Sequence, residues 1–311
     1  MPRLREESAN PLVRLAARAQ RRLFYRNQWF IHLDRHGAEP LRAISGNDGF
    51  DLLPPPDRFW ADPFPWTTSD GRNYVFVEEL PFSTAKGHIS ALEFSPTGEL
   101  LANTPAISQP WHLSYPFIFE WHGERWMLPE AGASRQLTLY RCADFPGRWV
   151  AEKNLLDNLR YADPTLVELD GRWWLFVTVA GPSGSIHEYL HLYYADTPLG
   201  PFEPHPANPV RRGGVGARPA GKLFHHGGEL YRPAQDCSRV YGLRTVIQRI
   251  DRISVTEYGE TTCGAIDPGW HPAVLRTHTL NIQGGWRAVD ALRWIPRKAP
   301  FSIRDTLESP A

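Results

Sequence analysis

ADPFPWTTSDGRNYVFVEE, residues 61–79, lines up with SYPFIFEWHGERWMLPEA at 114–131, ADPTLVELDGRWWLFVTV at 162–179 and ARPAGKLFHHGGELYRPAQD at 217–236. THTLNIQGGWRAVDALRW at 277–294 is a weaker fifth copy. The shared pattern is x-Pro, an apolar strand, a Gly turn and a second apolar strand. The residues before proline, Asp62, Tyr115, Asp163 and Arg218, recur at intervals of 53, 48 and 55. A third strand follows in each of the first four units: GHISALEF, QLTLYRCAD, YLHLYYAD and LRTVIQRI. The turns CADFPGRW and ADTPLGPF then lead toward a fourth. Antiparallel strands in fours, repeating about every 50 residues, are the signature of propeller blades. The sequence therefore predicts an all-β, five-bladed β-propeller over 28–296, with QWFIHLDR (28–35) supplying a strand that closes the ring.

The ends read differently. NPLVRLAARAQRRLFYR (10–26) has a capping Asn10, Pro11 suited to a first helical position, and leucines and alanines at helical spacing opposite a row of arginines. The expectation is a short N-terminal helix within a basic leader, 1–27, with 297–311 as a tail. Such a helix either packs on the domain or lies on anionic lipid. Arg-rich amphipathic helices are common on soluble proteins, so membrane contact is the less favoured of the two.

Composition narrows the function. Lys plus Arg and Asp plus Glu are both 34, which argues against a nucleic-acid partner, whose phosphates call for a basic excess. Cys142, Cys237 and Cys263 are odd in number and lack zinc-type spacing, favouring a reducing, cytoplasmic setting. No apolar stretch reaches about 18 residues.

In a propeller the innermost strand of each blade lines the central channel, and the second strand returns to the mouth where the first began. Asp62, Tyr115, Asp163, Arg218 and His278 are thereby expected to ring one mouth. Glu78 or Glu79 (Glu79 preferred), Glu130, Gln235 and Asp236 arrive there from the second strands. Trp60 and His112 are added as substrate contacts near that mouth, with Trp66 and Trp111 as further candidate stacking platforms. Polar groups converging on one concavity are the default functional site.

Asp-Pro at the first strand of blades one and three resembles glycoside hydrolase family 43 and its clan. More closely, WADPF, VFVEE, HLSYPFIFEW, ADPTLVELDGRWWLF, ARPAGKLF and YRPAQDCS look like the N-terminal domain of the glucosamine inositolphosphorylceramide transferase 1 family. The hydrolase resemblance implies a carbohydrate or glycoconjugate ligand, Asp62 as general base and Asp163 as the carboxylate that tunes the acid and orients the sugar. It also implies a water or cation in the channel near His278; no cofactor and no protein-held metal are expected. The resemblance breaks at Arg218, which stands where those hydrolases carry an acidic Glu and cannot deliver a proton. Three readings follow. Glu130 serves as the acid, with Glu79 and Asp236 behind it; Arg218 clamps an anionic leaving group; or the site binds a glycan without chemistry. A protein-interaction propeller is the weakest alternative.

HEYLH at 187–191 spells the H-E-x-x-H zinc signature, which works when both histidines share one helical face. The repeat instead places Tyr189–His191 in a third strand, where four residues span about 13 Å. Zn–N bonds of about 2 Å cannot close that gap. The stretch is expected to be a blade-three loop and strand, with His187 and Glu188 on the rim.

Overall fold

A computed structural model describes residues 23–297 apart from 36–38, 40 and 46–47. Its strands form five antiparallel sheets. Blade one comprises Arg58–Thr67, Asn73–Pro81, His88–Phe94 and Leu100–Ile107, from channel to rim. Blade two runs Ser114–Trp121, Glu124–Glu130, Gln136–Asp144 and Arg148–Asp157. In blade three, Tyr161–Leu169, Arg172–Val179 and Tyr189–Ala195 are followed by two short segments, Glu203–Pro204 and Arg211–Arg212, both paired to the third strand. Blade four splits its innermost strand into Val215–Pro219 and Phe224–His226, then adds Glu229–Asp236, Arg244–Ile253 and Tyr258–Ile266. Blade five joins both ends of the chain: Leu280–Gln283 and Trp286–Pro296 are continued by Tyr25–Arg35 and Phe50–Leu52.

The expected closing strand is present and begins at Tyr25, pairing with Trp286–Pro296 along its whole length. The expected helix at 10–26 lies outside the described residues for all but its last four positions. Of those four, Tyr25 and Arg26 are already strand, because Pro296 and Ile295 offer them ladder partners.

Burial falls from channel to rim, and the sequence of each strand follows it. Asn73–Pro81 buries its first seven residues, whereas Leu100–Ile107 and Arg148–Asp157 alternate or face solvent. Rings from neighbouring blades meet between them, as Phe64 does with Tyr115 and Phe117. The far-face turns are mostly two-residue hairpins with positive φ at both positions: His122-Gly123, Asp170-Gly171, Gly227-Gly228 and Gly284-Gly285. That is the turn geometry that matches strand twist, and it explains the Gly recurring in every repeat.

Gly221 has a different task. At φ +139° its backbone passes so close to blade five that a Cβ would sit 1.9 Å from the Leu280 carbonyl oxygen. Gly221→Ala is expected to lower stability by more than about 2 kcal/mol, since backbone must move to relieve the clash. Chemical denaturation of both proteins checks this; an unchanged midpoint would refute the close approach.

Candidate functional site at the channel mouth

Each x-Pro dipeptide of the first three blades is a bulge. In blade one the register passes from Ala61↔Glu78 to Phe64↔Phe76, so Asp62 and Pro63 face a single residue. Blades two and three repeat this at Tyr115-Pro116 and Asp163-Pro164. The residue before each proline is left-handed, with φ of 52°, 48° and 51°. A non-glycine residue held there costs about 1–3 kcal/mol, and the surroundings have to over-determine it.

Carboxylates supply that restraint, and they do so from one blade to the next. The Asp62 N–H donates to Asp290 Oδ2 of blade five at 3.3 Å, and the Tyr115 N–H to Asp62 Oδ2 at 3.1 Å. The Asp163 N–H donates to Glu130 Oε2 at 3.0 Å. The acids at the mouth therefore stitch the ring together while presenting oxygen atoms to it.

A cavity of about 250 Å³ opens at this mouth. Asp62, Glu78, Glu130, His112, Arg218 and His278 supply its polar lining, and Trp29, Ile186 and Tyr241 part of its apolar wall. Asp62, Glu130, His112, Arg218 and His278 are residues the sequence pointed to, and Glu78 is the one of the Glu78/Glu79 pair that lines the pocket. Asp62 is surrounded by donors: the Tyr115 N–H, the Thr279 hydroxyl at 3.0 Å and His278 Nε2 at 3.2 Å. Burial raises the Glu130 carboxyl well above the usual range despite Arg218 nearby, and the Asp163 carboxylate adds to the rise. Burial likewise raises Glu78, with Asp62 contributing. Glu78 Oε1 lies 3.2 Å from His112 Nε2. The Gly87 N–H donates to His112 Nδ1, which fixes the neutral tautomer with its proton facing Glu78.

Arg218 is largely spent on protein. Its Nε and Nη2 grip Asp163 at 2.6 and 3.2 Å, Nη2 also reaches Glu130 at 3.4 Å, and Nη1 donates to His187 Nδ1 at 3.0 Å. Burial, with Arg218 beside it, depresses His187 to about 4, leaving a neutral ring that accepts this bond. HEYLH thus contributes a supporting histidine to the mouth, while Tyr189–Ala195 is the expected strand and His191 pairs with Val177.

Several expected contacts stand elsewhere. Tyr115 is fully buried and crosses the channel beneath the cavity, its hydroxyl meeting Thr165 Oγ1 and the Gly221 N–H at 2.7 Å each. Asp163 lies under Arg218, held also by Gln235 Nε2 at 2.7 Å, so Gln235 supports Asp163 rather than lining the pocket. Asp236 is taken up by Ser238 and Arg244. Glu79 and Trp60 fail together: cross-strand neighbours share a face, and Trp60 Nε1 donates to Glu79 Oε2 inside blade one. Arg58 and Asn103 complete the shell of Glu79. Trp66 is buried in blade-to-blade packing and Trp111 packs against the same cluster.

The aromatic wall comes instead from Trp29 and Tyr241. The Tyr241 ring, 38% exposed on its outer side, faces Arg218, His187 and His278, and desolvation at this wall pushes its hydroxyl's pKa well up. It lies in the loop after the second strand of blade four, the place where such loops rejoin the mouth. Among the described residues, Asp62, His278 and Asp290 form a group with the residue types of a metal site, their ligand atoms within 4.8 Å of one another.

Fold and site together define a five-bladed β-propeller whose inner-strand bulges build an acid-lined pocket at one channel mouth. The chain belongs to the family described as glucosamine inositolphosphorylceramide transferase 1, N-terminal, whose model matches residues 50–267. It is 37% identical over 251 residues to glucosamine inositolphosphorylceramide transferase 1 of Oryza sativa subsp. japonica, covering 75% of this chain and 33% of the relative. The Arabidopsis thaliana protein of the same name is 37% identical over 211 residues, covering 66% and 27%. The chain thus spans about a third of the length of the curated relatives it matches. In fold it is similar to Zg3597, a family 117 glycoside hydrolase of Zobellia galactanivorans, with a TM-score of 0.52 and 15% identity over 88% of this chain and 91% of that one. CoXyl43, a family 43 β-xylosidase/α-arabinofuranosidase from a compost metagenome, gives a TM-score of 0.55 and 14% identity over 77% and 91%. The likeness to the solved structures concerns the fold, the five-bladed propeller.

Proposed function

We propose that the pocket processes a terminal sugar of a glycan or glycoconjugate, with Asp62 as base and Glu130 as proton donor. Asp163, paired with Arg218, orients the site beneath them. The observation that carries this reading is the pair of carboxyl groups in opposite company at one cavity: Asp62 faces donors, while burial raises the Glu130 carboxyl well above the usual range. Acid and base assignments follow from such divergent environments. A cavity of about 250 Å³ suits one sugar ring better than a chain. The names of the relatives support a glycoconjugate ligand.

A proton donor matters most when the leaving group is poor. Glu130→Gln is expected to cut turnover about 10²–10⁴-fold on alkyl glycosides, and far less on aryl glycosides whose leaving group departs as an anion. In the wild type, activity should fall as pH rises through the elevated Glu130 pKa, since the donor then loses its proton. Equal losses on both substrate types would remove Glu130 from this role. A second reading, glycan binding without chemistry, is favoured by the bonds of Arg218 to Asp163 and Glu130. It predicts saturable binding with no product from any glycoside or sugar phosphate.

A further inference from the structure

His278 lies between two carboxylates, with Nδ1 2.8 Å from Asp290 Oδ2 and Nε2 3.2 Å from Asp62 Oδ1. All three groups are buried. A neutral imidazole carries one N–H and one lone pair, so one of these contacts would set a lone pair against a carboxylate. Only the doubly protonated ring has a proton for each side. The Nδ1 contact is off the line of its N–H, so charge attraction carries more of it than an aligned hydrogen bond.

Asp290 is fixed by backbone donors from two blades. It accepts the N–H groups of His278 at 2.8 Å, Thr279 at 3.1 Å and Asp62 at 3.3 Å. It therefore holds both the imidazole and the strained backbone that aims Asp62. The ring is further clamped by Trp29, 4.3 Å between centroids, and by Tyr241 edge-on at 5.1 Å.

We infer that Asp290 and His278 are positioning residues for Asp62, forming an acid–imidazolium–acid chain in which the imidazolium supplies the positive charge where residue types alone suggest a divalent cation. This rests on the reading of Asp62 as the reacting carboxylate. The ring stands within hydrogen-bonding distance of both acids and fills the space between them. An inserted cation would need roughly 2 Å to each ligand atom and would displace it. The charged and titratable groups facing His278 are Asp62 of blade one, Asp290 of blade five, Glu78 across the pocket, and Tyr241 and Cys237 of the blade-four loop. Burial opposes the imidazolium, yet Asp290 and then Asp62 outweigh it and hold the ring's pKa well above the usual value.

The test uses the full chain labelled with ¹⁵N-histidine and two-bond imidazole spectra between about pH 6 and 9, where an ordinary histidine loses its proton. The His278 signal is the one lost in His278→Gln. The expected result is a doubly protonated ring at about pH 7.5, a midpoint lowered by about one unit or more in Asp290→Asn, and no change with calcium or EDTA. Asp62→Asn approaches the same ring from the other carboxylate and should lower the midpoint likewise. A neutral His278 at about pH 7, a midpoint indifferent to both variants, or a signal that follows calcium would overturn the chain. None of these readouts needs turnover, so the proton can be verified even if Asp62 proves not to be the base.

Discussion

Asp62→Asn is expected to lower turnover about 10³-fold while leaving sugar binding within a few-fold of the wild type. The first half follows from chemistry: an amide cannot accept the proton of an attacking water, and a positioned general base contributes about 10²–10⁴. The second follows from geometry. Asparagine keeps an oxygen for the Tyr115 N–H, so the left-handed bulge of blade two retains the bond that crosses from blade one. What is lost is the charge facing His278 and an acceptor for the Thr279 hydroxyl. The variant should therefore melt somewhat below the wild type but remain folded. Initial rates on a panel of glycosides, with binding measured calorimetrically, separate the two effects. Retained turnover beside retained binding would take Asp62 out of the chemistry, whereas binding without turnover in the wild type as well would favour the binding-module reading.

The ring of blades was legible because its determinants are local and repeated. Gly at the far turn between two apolar strands recurs in all five units, and proline near the start of the first strand in four of them. The mouth was legible only in part, for reasons that can be named. Glu78 and Glu79 are adjacent, so a one-residue choice selects opposite faces of the strand. Trp60 held the clue: an indole two residues before the Asp62-Pro63 bulge belongs to the blade interior, and its cross-strand partner Glu79 goes with it. Tyr115 occupies the same repeat position as Asp62 and Asp163, and repeat logic ranked the three alike. Its longer side chain reaches across the channel to Thr165 and Gly221 and becomes the floor. Trp29 and Asp290 come from the blade assembled from both chain ends. Their nearness to Asp62 is a long-range fact that no local pattern encodes. Arg218 was visible as a departure from the hydrolase pattern, but whether it faced ligand or protein was not, because that depends on three side chains from two other blades.

Removing that arginine should cost the most stability. Arg218→Ala is expected to destabilise the fold by about 3–5 kcal/mol near neutral pH, because it leaves buried acids without their counter-charge. The Arg218 and Asp163 side chains are 7% and 2% exposed, so water cannot replace the guanidinium. Arg218→Lys should recover little, since one ammonium cannot reproduce a two-pronged grip on Asp163 and reach Glu130 and His187 as well. Adding Asp163→Asn to Arg218→Ala should restore part of the loss, the coupling being the mark of a direct pair. The pH dependence has a definite sign. The raised pKa of Glu130 means that the folded state holds this proton more tightly than the unfolded chain, a contribution present at low pH and lost as pH rises through that pKa. Without Arg218 the carboxyl is pushed higher still, so the penalty of the variant should shrink as pH falls. Denaturant unfolding at several pH values measures both. A loss below about 1 kcal/mol together with abolished ligand binding would mean that Arg218 serves the ligand, and that its grip on Asp163 is where it rests between ligands.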